Sequence, residues 1–172
     1  LRDCPKCWRR RRRRRRRRDG LGNATSIMVG DEVGFWNEGH YRYIALGAGG
    51  ASLSSVHEHA TPFPVGAKDQ RFQVVDAGNE WIALHNSACS RFLRMGDTTM
   101  EASAVKCSNQ LPATWSSERF QLIPVGKYYA LFNQNHSRFV RMTGTQLLRT
   151  PKLKVTQTDQ LLTDDKFIAV RL

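Results

Sequence analysis

"IALHNSACSRFLRM", residues 82–95, is an apolar run, a polar interruption and a basic–aromatic–apolar run, and it occurs three times. "VGFWNEGHYRYIAL" (residues 33–46) and "YALFNQNHSRFVRM" (residues 129–142) align with it without a gap, their starts 49 and 47 residues apart. Each copy has asparagine at its fifth position (Asn37, Asn86, Asn133) and arginine at its tenth (Arg42, Arg91, Arg138), followed by Tyr43, Phe92 or Phe139. A second element keeps step: "QRFQVVDAG", "ERFQLIPVG" and "DKFIAVRL" place Phe72, Phe120 and Phe167 at intervals of 48 and 47. The sequence ends on the third copy, which reads as a closed count of three. Self-similarity at this period defines the architecture before any single residue does.

Within a copy the apolar residues come in short runs that alternate with period two, which argues strand and not helix. "HNSACS" and "NQNHS" are polar turn segments between two such runs, so each copy reads as a hairpin. Asparagine suits a hairpin corner because its side chain bonds local backbone groups and tolerates left-handed geometry. Gly47, Gly49, Gly50, Pro62, Pro64, Pro112 and Gly144 punctuate the chain, and no stretch of ten residues shows helical periodicity. Three units of about 47 residues with roughly four strands each predict a closed twelve-stranded β structure, because closure removes exposed strand edges. Phe72, Phe120, Phe167, Leu84, Phe92, Leu131 and Phe139 are the expected core, related by a pseudo-three-fold axis.

This pattern resembles the β-trefoil. The "IALHNxxxxRFLRM" hairpin is similar to the fascin-like trefoil unit, and more narrowly to the "ALHNxxxNRFxRM" and "LPxxWxWERFxVV" repeats of uncharacterised marine algal proteins. "LPATWSSERFQLI" (residues 111–123) carries that second element almost intact. The resemblance covers residues 29–172 and implies an all-β fold, a β-trefoil domain over 29–172 preceded by an arm and linker over 1–28. A trefoil hosts many activities, so the resemblance says little about function. The first copy departs from the pattern: Tyr43, Ala45 and Leu46 replace Phe-x-Arg-Met, and its "PFPVGAKDQRF" linker lacks a counterpart of Trp115. That copy is expected to have acquired or lost a local role.

Charge separates the arm from the body. The chain has 27 Lys+Arg and 15 Asp+Glu, a net charge of +12. Ten consecutive arginines, Arg9, Arg10, Arg11, Arg12, Arg13, Arg14, Arg15, Arg16, Arg17 and Arg18, join Arg2 and Lys6 against Asp3, so residues 1–18 hold +11 and the rest +1. Like charges in a row repel, bury nothing and call for an acidic partner. These ten arginines are the expected partner-binding residues, with an acidic protein surface or large complex as first choice and nucleic acid or anionic lipid as alternatives. The body, about 150 residues, is long enough for one core. No apolar run approaches the ~20 residues of a membrane span, and no signal peptide follows the arginines. The start at Leu1 reads as a processed or incompletely assigned terminus. Cys4 and Cys7 have C-x-x-C spacing, but Cys89 and Cys107 are 18 apart and do not complete a zinc site. Asn23 and Asn135 head N-x-S/T triplets, which arise often by chance.

The search for chemistry leads towards binding. Acidic residues are scattered, with none of the spacing of an acid–base pair. "VHEHA" (residues 56–60) could place His57 and His59 on one strand face, but a polar surface loop is the preferred reading. His85 and His136 are expected as exposed turn residues and Cys89 as a lone thiol, so no metal or cofactor is expected. Trp36, Trp81 and Trp115 are possible sugar-stacking platforms, though packing is the commoner role. The ricin-type Q-x-W element is missing. Arg42, Arg91, Arg94, Arg138 and Arg141 raise a nucleic-acid reading, which the near-neutral body opposes. A structural role in each hairpin is preferred, with carboxylates such as Asp76 or Glu118 as partners. The expected function is a non-enzymatic adaptor, an accessory subunit docked through its arm, with a plastid photosynthetic complex as one setting and an intracellular place favoured over a secreted one. The alternatives are a carbohydrate-binding, lectin-like module and a nucleic-acid-associated protein.

Overall fold

The apolar alternation becomes strands wherever it was expected, and their order follows the repeat. The computed structural model describes residues 26–172, so the arginine run and most of the proposed linker lie outside the described residues. The first copy gives β1 (Glu32–Asn37), β2 (Arg42–Gly47) and β3 (Gly50–Leu53). The second gives β4 (Phe72–Gly78), β5 (Trp81–Asn86), β6 (Arg91–Met95) and β7 (Met100–Ala102). The third gives β8 (Gln121–Val125), β9 (Tyr128–Asn133), β10 (Arg138–Met142) and β11 (Leu147–Arg149), and β12 (Ile168–Arg171) closes the sequence. Three one-turn 3-10 segments are the helical content among the described residues, and no described helix is long and apolar enough to cross a membrane.

Each fourteen-residue motif is a hairpin. Asn37 pairs with Arg42, Asn86 with Arg91 and Asn133 with Arg138, and the neighbouring pairs are Trp36–Tyr43, His85–Phe92 and Phe132–Phe139. The left-handed residue of each turn is the ninth and not the asparagine: Tyr41 (φ 55°), Ser90 (φ 52°) and Ser137 (φ 51°). The asparagines, all fully buried, have another task. Asn86 Nδ2 donates to the carbonyls of Lys68, Asp69 and Arg71 at 2.9–3.0 Å. Asn133 Nδ2 donates to those of Ser116, Ser117 and Arg119 at 3.0–3.2 Å. Asn37 Nδ2 donates to those of Thr163 and Lys166. Each Oδ1 accepts from its own turn: from His40 N, from Ala88 N and Cys89 N, and from His136 N. One side chain therefore ties a hairpin turn to a segment that leads into a repeated phenylalanine: the preceding Phe72 and Phe120 for Asn86 and Asn133, and Phe167 at the end of the sequence for Asn37.

The repeated arginines also differ from the carboxylate pairing expected of them. Arg42, Arg91 and Arg138 each donate to a backbone carbonyl twelve residues on, those of Ser54, Ser103 and Thr150. The hydroxyls of these same three residues accept from the amides of Tyr43, Phe92 and Phe139 at 2.9–3.0 Å. Carboxylates are taken by the second arginine of the motif. Arg141 holds Asp165 through Nε and Nη2 at 2.6 and 2.8 Å, and Arg94 holds Glu101 at 3.1 Å and Glu118 at 3.6 Å. The first copy has Ala45 where these arginines stand, and the acid is replaced by the buried neutral amide Gln70. The exchange has a physical logic, since a buried carboxylate stripped of its partner costs about 3–5 kcal/mol.

The β-trefoil expectation is corrected by the strand pairing. The ladders do not form three equivalent units closing one barrel. They give an eight-stranded antiparallel sheet, ordered β3-β2-β1-β4-β5-β6-β7 with β12 also on β1, and a separate four-stranded sheet, β11-β10-β9-β8. The cause lies where copies meet. Val33 pairs with Phe72 and Glu32 with Gln73, a ladder that merges the first two copies. The corresponding contacts Ile82–Phe120 and Tyr129–Phe167 are single bridges, so β8–β11 stay apart as a sheet while β12, from the third copy, joins β1. Trp81 and Tyr128 occupy the position of Glu32 in the later copies, and there the pairing stops after one residue.

The expected core is in place. Phe72, Phe120, Phe167, Leu84, Phe92, Leu131 and Phe139 are all fully buried. The main cluster draws on all three copies, including Val33, Phe35, Met95, Val140 and Met142. A satellite cluster in the first copy explains its departures. Phe63, from the long loop after β3, packs with Trp36, Tyr43 and Val170. Its ring lies over Gly34, where an added Cβ would come within 2.4 Å of it. The later copies have Ala83 and Ala130 at that position. Two substitutions test this account by denaturant unfolding. Phe120→Ala is expected to cost ~3–5 kcal/mol as a core cavity, and Asn86→Ala at least about 2 kcal/mol, because three backbone carbonyls lose the buried donor they share.

Candidate functional site

The β4–β5 turn brings together the residues of an aromatic-walled cleft. Asn79 and Glu80 both have positive φ (53° and 64°), the geometry of a two-residue hairpin loop that matches strand twist. Gly78, also at positive φ, pairs with Trp81 across this loop, and its amide donates to Asp76 Oδ1 at 2.8 Å. This places the half-buried indole of Trp81 at the start of β5, packed against the clusters around Phe92 and Phe132. The cleft beside it has a volume of about 490 Å³ and is walled by Gly78 and Asn79, by Ala113, Ser116 and Arg119, and by Gln134 and Asn135.

Its walls are fixed before any ligand arrives. Arg119 Nε donates to Trp115 O at 3.0 Å and its Nη2 to Pro112 O at 3.0 Å, while Nη1 donates to Ala77 O. The guanidinium thus staples the 112–115 loop to the end of β4, and Asn133 holds the same loop at Ser116, Ser117 and Arg119 from the other side. The side-chain amides of Asn79, Gln134 and Asn135 are exposed on the rim, uncommitted to the described fold. No Asp or Glu lines the cleft.

The counterpart place in the third copy is occupied by its own side chains. Tyr128 stands where Trp81 does, and its hydroxyl donates to Glu38, which also accepts from Lys127 Nζ at 3.1 Å. Lys127 and Lys166 lie over the Tyr128 ring at 4.9 and 5.8 Å. The hydrogen bond from Tyr128, then that from Lys127, hold the Glu38 carboxyl below its ordinary pKa. The first copy has Glu32 at this position and no aromatic. Three copies of one scaffold therefore carry three different surfaces, and the Trp81 surface combines an aromatic ring with free amides.

Other residues raised by the sequence fall elsewhere. Trp36 is buried, its Nε1 donating to His57 O at 3.0 Å, and Trp115 is half-buried against Ala77 and Phe92. His57 sits edge-on to Tyr43, His59 is exposed, and the described residues contain no group of three or more His, Cys, Asp or Glu able to hold a metal. His85 is not an exposed turn residue. It is buried in β5, edge-on to Phe92, with Nε2 2.9 Å from Lys106 O. His136 is half-buried between Ser117 Oγ (3.1 Å from Nε2) and Arg149 (3.2 Å from Nδ1). The Cys89 thiol is free, and burial pushes its pKa up. The ten arginines expected to bind a partner lie outside the described residues.

Arg119 and the rim amides were missed by the sequence reading. A signal existed for the arginine: Arg71, Arg119 and Lys166 each precede the repeated phenylalanine, which marks that position as basic in every copy. Nothing in the repeat marks Asn79, because the residues that meet at the cleft come from three segments far apart in sequence.

No family model matches the chain, and no curated protein matches it. Among solved structures it is similar to a GlcNAcα1-4Gal-releasing endo-β-galactosidase from Clostridium perfringens, at 11% identity and a TM-score of 0.61. The match covers 83% of this chain and 32% of the other, so the chain spans about a third of that enzyme's length. At this identity the likeness concerns the fold alone.

Buried His85 and half-buried His136 make the fold sensitive to acid. Burial is the largest cause lowering the pKa of His85, and burial, then Arg149, lower that of His136, with Asp97 opposing and Arg138 and Arg94 adding. Their neutral forms are the folded ones. Their contribution to stability is therefore complete above the ordinary value of 6.5 and is lost as pH falls from there through the depressed folded values. Glu118 acts oppositely, since burial raises its pKa and stability is lost as pH rises above 4.5. Unfolding free energies are expected to drop on going below pH 6.5, and a His85→Asn, His136→Asn double variant should flatten that part of the profile.

Proposed function

We propose that the folded body is a carbohydrate-binding module whose site is the Trp81 cleft. One observation carries this reading: an indole stands on a prearranged wall with three uncommitted side-chain amides around it. An indole offers a broad apolar face with little conformational freedom to lose, suited to the apolar face of a pyranose. Amides can both donate to and accept from sugar hydroxyls. Sites of this kind combine a mainly apolar surface with a few placed polar groups. The likeness to part of a glycosidase chain supports a glycan setting.

Binding is favoured over hydrolysis. Glycoside cleavage in most families uses two carboxyl groups flanking the scissile bond, and the cleft is lined by none. Glu118, the buried acid nearest in sequence, is engaged with Arg94. The test is a glycan array followed by calorimetry on the strongest ligand. Trp81→Ala is expected to weaken binding about tenfold or more, equivalent to ~1.4 kcal/mol, with the fold intact. A Trp81→Ala variant that binds like the parent would overturn the assignment.

A second reading rests on the charge separation, since residues 1–18 hold +11 of the net +12. In it the arm docks the module on an acidic partner. Deleting Arg9 to Arg18 is expected to abolish capture of that partner in native pull-downs, and ten lysines in their place distinguish two surfaces. Rescue by lysine indicates a diffuse phosphate or lipid surface, whereas failure indicates a shaped acidic groove that needs bidentate guanidinium pairing. Unchanged capture after deletion would dismiss the arm from the interaction.

A further inference from the structure

The Trp81 cleft does not end at Gln134. A second cleft of about 610 Å³ begins on the other side of that residue and runs along Gln121 and Ser137 to Lys152, Lys154 and Gln157. Gln134 lines both. The segment bearing the lysines is held in place: Leu153 N donates to Ser137 O at 3.0 Å, and Lys154 N donates to Gln157 Oε1 at 2.6 Å. Leu153 and Val155 are drawn against the Phe132–Phe139 cluster, while Lys152 and Lys154 are exposed. Neither lysine is in an ion pair within the described residues. No acidic residue lines either cleft. In a body of net charge +1, these two cations line a groove without carboxylates.

We propose that the two clefts form one groove and that its ligand is an anionic oligosaccharide, with a sugar stacked on Trp81 and a sulfate or carboxylate group against Lys152 and Lys154. This rests on the carbohydrate reading above and adds the ligand's charge and length. A single pyranose satisfies the Trp81 end alone, whereas both ends together require a chain of several sugars. Lysine supplies point charge to an anion without the directional fork of arginine, so the basic end selects charge and leaves sugar identity to the Trp81 end.

The test uses the full chain and three probes: β-1,4-galactotetraose, the same tetrasaccharide after chemical sulfation, and tetragalacturonate. The arginine run attracts anions in every variant alike, so the readout is the NMR signal of the Trp81 indole N–H and the Gln134 side-chain amide, not total heat. At least one anionic probe is expected to shift both signals at a concentration tenfold or more below the neutral one, and the better probe identifies sulfate or carboxylate as the recognised group. Lys152→Glu, Lys154→Glu should remove that advantage and leave the neutral probe unchanged. Both positions are exposed, so an unaltered amide spectrum elsewhere confirms the fold. Equal midpoints for neutral and anionic probes, or an advantage that survives the lysine changes, would overturn this inference while leaving carbohydrate binding intact. If no saccharide moves the Trp81 signal, or an oligothymidylate moves it and no saccharide does, both readings fall, and in the second case the groove belongs to nucleic acid.

Discussion

The structure hangs on one buried side chain used three times. Asn37, Asn86 and Asn133 each spend their amide hydrogens on carbonyls of a segment leading into a repeated phenylalanine (Phe167, Phe72 and Phe120 respectively) and their oxygen on their own turn. Those segments are irregular, and irregular backbone brought inside a fold has carbonyls that no ladder satisfies. Asparagine is short, carries two donors and one acceptor, and meets that demand from a single position. Replacement by aspartate would remove the donors and add a buried charge. The asparagine therefore decides whether the loops can lie against the hairpins at all.

Around that constraint the copies were free to diverge in matched sets. Arg94 with Glu118, and Arg141 with Asp165, fill a position where the first copy has Ala45 with Gln70. Charge is absent from both partners together, which avoids an unpaired buried ion. Gly34 and Phe63 make a second matched set, the ring occupying the space that Ala83 and Ala130 fill in the other copies. The candidate site arises from the same freedom. Trp81, Tyr128 and Glu32 stand on one scaffold position, and the groups around them make an open aromatic cleft, a tyrosine latched by Glu38, and a strand pair.

Much of this was legible in the sequence because the signals were local and repeated. Period-two runs broken by polar turns gave the hairpins, and the recurrent phenylalanines gave the core, since an apolar residue kept at a fixed offset in three copies has one common reason to be there. The excess charge of residues 1–18 was equally readable, as charge is a property of composition. The burial of His85 was harder to see, because "ALHNS" looks like the approach to a turn while β5 extends through Asn86.

Other features depended on which distant segments meet. The arginines at the tenth position suggested carboxylate partners, but a hairpin that brings the residue twelve places on beside them offers a carbonyl first. Three equal units suggested a trefoil, but strand pairing turns on single residues at the seams. One added pair, Glu32 with Gln73, joins β1 to β4, β12 joins the same sheet through β1, and β8–β11 are left as a sheet of their own. The groove from Trp81 through Gln134 to Lys154 joins the β4–β5 turn, the β9–β10 turn and the loop after β11. The sequence by itself determined the repeat, the strands, the core and the charge of the arm, because each is written in neighbouring residues. Only the tertiary structure decided the seams and the site, because both are made of residues with no local pattern in common and no proximity until the chain has folded.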